Sequence, residues 1–241
     1  GRSLEQENKE LAYQQQWVSQ GNYLTLETFQ LSDSVWQEEL AGSGKSTDYF
    51  YQFYQDLLAK TQVNYVRGAS LPIKSVIKAE QVQQYQLPDE VDVYYANSNF
   101  LKSKGFKLPE AGTKKVILMP ASAKGQEGKN QFLGKSIAYL SMRYEDQQKK
   151  TIEDMDVEIA YYEGDWSFFP YNNEQKENLH NPIISLVNDQ DMMWEEKTRL
   201  STTGLNNPMK VENTEQNQKV ITELVEKLSD GNYLKFSSLQ A

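Results

Sequence analysis

Apolar residues along this chain recur at two spacings, and the switch between them marks out the elements. Phe50, Phe53, Tyr54, Leu57 and Leu58 fall at i, i+3, i+4, i+7 and i+8, one buried helix face that Thr47 and Asp48 are placed to cap. Val220, Ile221, Leu224, Val225 and Leu228 repeat that pattern over residues 217–229, with Asp230 and Gly231 as the stop. A third amphipathic helix is predicted over residues 131–147, where Leu133, Ile137, Leu140 and Tyr144 point inward. A sparser stripe of Leu4, Leu11, Tyr13, Trp17 and Val18 predicts a partly exposed lead-in helix over residues 4–20, ended by Gly21 and Asn22. Residues 79–85 and 99–104 read as short helices, bounded by Pro88 and Pro109.

Alternating or β-branched runs predict strands at residues 63–66, 91–95, 116–119, 157–162 and 182–187. Residues 23–31 make a further strand whose apolar phase shifts, from Leu24 and Leu26 to Phe29 and Leu31. Residues 121–130, with two glycines and three charges, read as a mobile loop and the candidate boundary between lobes. Helices and strands alternate irregularly, and the strands after residue 150 follow one another with short turns. This order predicts an α+β fold, a mixed or antiparallel sheet with flanking helices, as one domain or two small lobes.

Composition narrows the function classes. At 241 residues the chain can bury a sizeable core. A net charge of −9 with no lysine or arginine stripe repels a phosphate backbone and excludes nucleic acid as a partner. No apolar run approaches the roughly 20 residues a bilayer span needs. The absence of cysteine excludes disulfides, thiol catalysis and Cys-ligated zinc, and fits an exported bacterial surface domain. A start at Gly1, Arg2 and Ser3 without Met suggests a segment excised from a longer chain.

Candidate chemistry is sparse, and no catalytic, cofactor or metal site is expected. The segment Ala41-Gly-Ser-Gly-Lys-Ser-Thr47 resembles the end of a phosphate-binding loop. That loop needs a glycine five residues before its Gly-Lys pair so that backbone N–H groups can curl round phosphate. Here the position is Glu39, and residues 34–40 read as helix instead of a buried strand. His180 is the only histidine, in a turn-like context, with no second imidazole or thiolate for zinc and no evident triad. Acids crowd two segments, Glu153, Asp154, Asp156 and Glu158, then Asp189, Asp191, Glu195 and Glu196; solvated charge is their default reading. Paired carboxylates could also hydrolyse glycosides or bind calcium, although no Asp-x-Asp-x-Asp-Gly loop is present. Trp166, Phe168, Phe169 and Tyr171 form a candidate contact patch, if alternation leaves one set exposed, against a core reading.

Three segments together resemble a known family. They are Val93-Tyr-Tyr-Ala-Asn-Ser-Asn-Phe-Leu-Lys102, Val116-Ile-Leu-Met-Pro120, and Trp166-Ser-Phe-Phe-Pro-Tyr-Asn172 followed by Asn181-Pro-Ile-Ile184. In order and spacing, over residues 45–235, they are similar to the bacteriocin-associated integral membrane proteins of Gram-positive bacteria, which resemble permeases of FtsX/MacB-type ABC transporters. Asn181 departs from the acid expected before Pro-Ile-Ile, and the loop after Pro120 lacks an expected tyrosine. The resemblance implies an extracellular domain over residues 41–241, with residues 1–40 as lead-in helix and strand. Its implied partners are transmembrane helices of the same parent chain, a separate cytosolic ATPase subunit and a peptide. Two other expectations stay open: a free-standing secreted or lipid-anchored protein that binds peptide or glycan, and a hydrolase using paired carboxylates.

Overall fold

The structure, a computed structural model, describes residues 3–42, 44–110, 112–175, 177–228 and 231–238. In chain order its elements are α1 (Leu4–Ser19), β1 (Tyr23–Gln30), α2 (Asp33–Leu40), α3 (Lys45–Lys60), β2 (Asn64–Leu71), α4 (Ala79–Tyr85), β3 (Val91–Asn97), α5 (Ser98–Ser103) and β4 (Lys115–Pro120). Then come α6 (Glu127–Leu140), α7 (Tyr144–Gln147), β5 (Val157–Tyr162), β6 (Ser167–Phe168), β7 (Leu179–His180), β8 (Ile183–Val187), α8 (Trp194–Thr198), β9 (Met209–Glu212), α9 (Glu215–Lys227) and β10 (Tyr233–Ser238). The fold is α+β. It divides into two compact units, residues 1–64, 171–176 and 197–241 in the first, residues 65–170 and 177–196 in the second. The candidate boundary at residues 121–130 therefore lies inside the second unit, where it forms a 3-10 turn at Ala121–Ala123 and the start of α6. Asn130 ties that segment down, donating from Nδ2 to Ala123 O at 2.9 Å and to the Tyr161 hydroxyl at 3.0 Å.

In the first unit, β1 lies between β10 and β9, antiparallel to both. The apolar phase shift along β1 is a bulge: Leu26 pairs with Phe236 and Thr28 with Lys235, so Glu27 is the extra residue. One sheet face packs on α3, whose Phe50, Phe53, Tyr54 and Leu57 are fully buried; Phe53 stacks on Phe236 at 5.6 Å. Helix α3 begins three residues before the position that Thr47 and Asp48 were expected to cap, at a left-handed Gly44 with φ 71°. Glycine occupies that conformation without a Cβ clash, so the helix can gain most of a turn. Val220, Ile221 and Leu224 of α9 are buried, as their spacing predicts; its expected stop at Asp230 lies outside the described residues. In α1, Tyr13 and Trp17 are buried while Leu4, Leu11 and Val18 stay exposed, the partly exposed helix that the sparse stripe implies.

The second unit is built on a mixed sheet in the order β2-β3-β8-β4-β5. Strand β3 is antiparallel to β2 and parallel to β8, while β4 is antiparallel to β8 and parallel to β5. The register puts Arg67, Tyr95, Ser185 and Ile117 in one row across one face, with Tyr65, Asn97 and Lys115 beside them. Helix α6 covers this face, close enough that a Cβ on Gly134 would meet Ile159 Cδ1 at 2.7 Å. On the opposite face Tyr94 meets Phe100 of α5 at 6.0 Å and Phe168 at 4.7 Å. The helix expected over residues 131–147 is two: α6 ends at Ser141, whose carbonyl accepts Glu195 N at 3.0 Å, and Tyr144 in α7 is exposed. A tertiary hydrogen bond competes there with helix continuation, a contact invisible to local periodicity.

Candidate functional site

Strands β3 and β8 are neighbours and parallel, and the chain leaves their carboxyl ends toward opposite faces of the sheet. After β3, α5 packs against Tyr94, whereas after β8 the first turn of α8 returns to the face that carries Arg67 and Lys115. Diverging connections open a crevice at the strand ends, the usual place for ligands in open sheets. A cleft of ≈ 410 Å³ lies there, floored by Lys115, Val116, Leu186 and Val187. Ser98, Asp189 and Gln190 wall it, and Lys102, Glu110 and Lys114 complete its charged lining. Asn97 organises one side: Oδ1 accepts Phe100 N at 3.2 Å, and Nδ2 donates to both Asp189 carboxylate oxygens at 3.3 Å.

Behind the cleft, the sheet face holds a buried charge network. Lys115 Nζ donates to Glu196 Oε2 at 2.7 Å and to Leu186 O at 2.8 Å, and the Glu196 side chain is wholly buried. Glu196 Oε1 accepts Met193 N at 2.9 Å. Arg67 Nη2 bonds both Glu195 oxygens, at 2.8 and 3.0 Å, and its guanidinium lies 4.6 Å from the Tyr95 ring centre. The Tyr65 hydroxyl donates to Glu196 O at 2.8 Å. Burial pushes the Tyr65 and Tyr95 hydroxyls well up, so both remain protonated. Buried charges persist only when paired and hydrogen-bonded; each of these four has an oppositely charged partner, while Arg67 Nε is buried without a hydrogen-bond partner among the described residues.

The first unit holds a second buried cation. Lys210 on β9 is 1% exposed, and its Nζ donates to Asn207 O, to Leu205 O at 3.2 Å and to Thr25 Oγ1 at 3.5 Å. Its ammonium lies 5.4 Å from the Tyr171 ring centre, and burial pushes its pKa down to about 7. Every hydrogen-bond partner is a neutral oxygen, which solvates the charge without cancelling it.

The expected contact patch is a correction. Phe168, Phe169 and Tyr171 are 3%, 5% and 3% exposed, and only Trp166 is half-buried. Strand β6 is two residues long, too short for alternation to leave a row of rings in solvent. Instead Phe168 stacks on Tyr94, Trp166 packs on Phe106 at 4.4 Å, and the Tyr94 hydroxyl donates to Phe169 O at 2.7 Å. Tyr171 belongs to the first unit, where a φ of 50° turns it onto Trp17 at 5.5 Å.

The phosphate-loop look-alike is occupied by the protein itself. Glu39 Oε2 accepts Ser46 N at 3.2 Å at the start of α3, residues 33–40 are helix, and Ser43 lies outside the described residues. His180 is an exposed residue paired with Asp165. Asp154 accepts Thr151 N, and exposed Asp156 pairs with Lys114 at 3.3 Å. Glu195 and Glu196 depart from the solvated-charge expectation, since both are committed to the buried network. No group of three or more His, Asp or Glu among the described residues could hold a metal ion. No family model, curated protein or solved structure matches the chain. Sequence reading missed Arg67, Lys115 and Lys210; Arg67 and Lys210 are each a lone cation set among apolar or small strand residues, a pattern that signals a buried charge, whereas Lys115 follows Lys114 at a strand start and carries no such signal.

Proposed function

We propose that this chain is the extracytoplasmic domain of an ABC-type permease associated with bacteriocin or peptide export or immunity. It acts at the outer face of the cell membrane by contact with a partner or peptide and by conformational coupling, without covalent chemistry. Membrane helices of the parent chain and a separate cytosolic ATPase are the partners of this reading.

One observation carries it. The Ser238 hydroxyl donates to Asn22 Oδ1 at 2.8 Å, and Ser238 pairs with Leu24 across β10 and β1. Asn22 follows α1, 16 residues that span ~24 Å at ~1.5 Å per residue. Both described ends of the chain therefore belong to one unit, separated by little more than that helix. A domain looped out between two membrane helices needs its ends close enough for both tethers to reach one bilayer. The three sequence segments that resemble the bacteriocin-associated permeases support the same reading.

Coding sequence on either side of the 241 residues tests it. The reading expects an apolar run of about 20 residues on each side. A flank without one on either side overturns it and leaves a free-standing or singly anchored surface protein.

A further inference from the structure

The cleft beyond β3 and β8 is built for a particular ligand chemistry. An ammonium has three N–H donors, and Lys115 gives two of them to Leu186 O and Glu196 Oε2. The third has no acceptor among the described residues. The Lys115 side chain is 8% exposed and lines the cleft floor, so a ligand acceptor entering the cleft could complete its coordination. Exposed Lys102, also lining the cleft, has no ion-pair partner among the described residues. Lys114 is engaged by Asp156 at 3.3 Å. Val116, Leu186 and Val187 supply an apolar floor beside these ammonium groups.

The acids set the limits. Glu110 and Asp189 share the lining, and the Asp189 carboxylate accepts from Asn97. Glu110 and Asp189 in the lining, with Glu196 on Lys115 and Asp156 on Lys114, disfavour a multiply charged anion such as phosphate and leave room for at most a single carboxylate. They would also attract an ammonium carried by the same ligand.

We propose that this cleft binds a monocarboxylate with an apolar body, an amino acid or the C-terminal residue of a peptide. Lys115 and Lys102 receive the carboxylate, and Val116, Leu186 and Val187 receive the apolar part. The proposal concerns the cleft alone and stands or falls separately from how the chain is tethered.

Amide NMR titration of the whole domain tests it with leucine, N-acetyl-leucine, leucinamide, a leucine-terminated tetrapeptide and inorganic phosphate. N-acetyl-leucine is expected to shift resonances at Ser98, Lys102 and residues 186–190 saturably, with leucinamide at least about tenfold weaker because it lacks the anion. Lys102→Glu places a like charge at the rim of the cleft and should weaken N-acetyl-leucine by about fivefold or more, while the exposed position keeps the thermal unfolding midpoint unchanged. Leucine binding tighter than N-acetyl-leucine identifies a free amino acid, and tetrapeptide binding as tight or tighter identifies a peptide end. Absence of saturable shifts at the cleft, equal binding of leucinamide, equal binding of phosphate, or an unaffected Lys102→Glu variant would each overturn the proposal.

Discussion

Lys210→Met isolates the energetic consequence of burying a cation among neutral oxygens. Burial lowers the Lys210 pKa from its ordinary 10.5 to about 7. At about 1.4 kcal/mol per pKa unit, that is a folding cost on the order of 5 kcal/mol while both states are protonated, and it shrinks as pH rises from the folded value toward the unfolded one. Methionine removes this cost but leaves the carbonyls of Leu205 and Asn207 without their donor, about 1–3 kcal/mol each, so the two effects nearly cancel near neutral pH. The pH dependence does not cancel. Between the folded value near 7 and the unfolded value of 10.5 the unfolded state binds more protons, so wild-type stability rises with pH. Below the folded value both states are protonated and the cost is constant. Tyrosine ionisation in the unfolded state reverses the trend above about pH 10, because burial holds Tyr65, Tyr95, Tyr162 and Tyr171 protonated in the fold. Urea unfolding of wild type and variant at about pH 7 and about pH 9 should show the wild type gaining roughly 2 kcal/mol relative to Lys210→Met. A stability difference that does not change over that interval would refute the assignment of Lys210 as a cation buried without a counter-ion.

Four further outcomes rest on the packing and hydrogen bonding. Glu196→Gln leaves Lys115 buried without its countercharge and should cost about 3–5 kcal/mol in urea unfolding, much of it recovered by adding Lys115→Met; a single variant as stable as wild type contradicts the pairing. Gly68→Ala puts a Cβ 2.9 Å from Pro170 Cβ and 3.1 Å from its Cα, and should destabilise by about 1–3 kcal/mol. Gly134→Ala should cost less: its closest clash is the movable tip of Ile159, and alanine recovers about 1 kcal/mol of helix propensity. Equilibrium dialysis with labelled ATP should find no affinity near micromolar, since Glu39 already takes the Ser46 N–H that a phosphate would need.

Local physics made much of the fold legible. Thr25 and Thr28 of β1 sit either side of a bulge because the apolar phase slips by one residue there, and the sequence carries that slip openly. The i, i+3, i+4, i+7 pattern of α3 named its buried face because one stripe meets one sheet. Long-range contacts were not legible. Nothing between residues 131 and 147 announces that Ser141 will accept a hydrogen bond from Glu195, 54 positions on, so the helix there looked continuous. The aromatic run from Trp166 to Tyr171 leaves a contact patch and a core reading both open by local spacing; a two-residue strand and a left-handed Tyr171 turn its rings inward, the core reading. Acid clusters suggested solvent, yet Glu195 and Glu196 find partners on β2 and β4 through sheet topology, which no local spacing encodes. The cleft depends on the same topology, since residues from α5 and β4 meet residues 186–190 there.

Because the 241 residues contain no cysteine, the membrane-side assignment is open to a single-label measurement. Tyr144 is 70% exposed, so Tyr144→Cys in the full-length parent offers one accessible thiol from this domain. Intact cells are treated with a membrane-impermeant maleimide and compared with lysed cells and with the unsubstituted parent. An extracytoplasmic domain predicts equal labelling before and after lysis; labelling that appears only after lysis would place the domain inside the cell and contradict the proposed function.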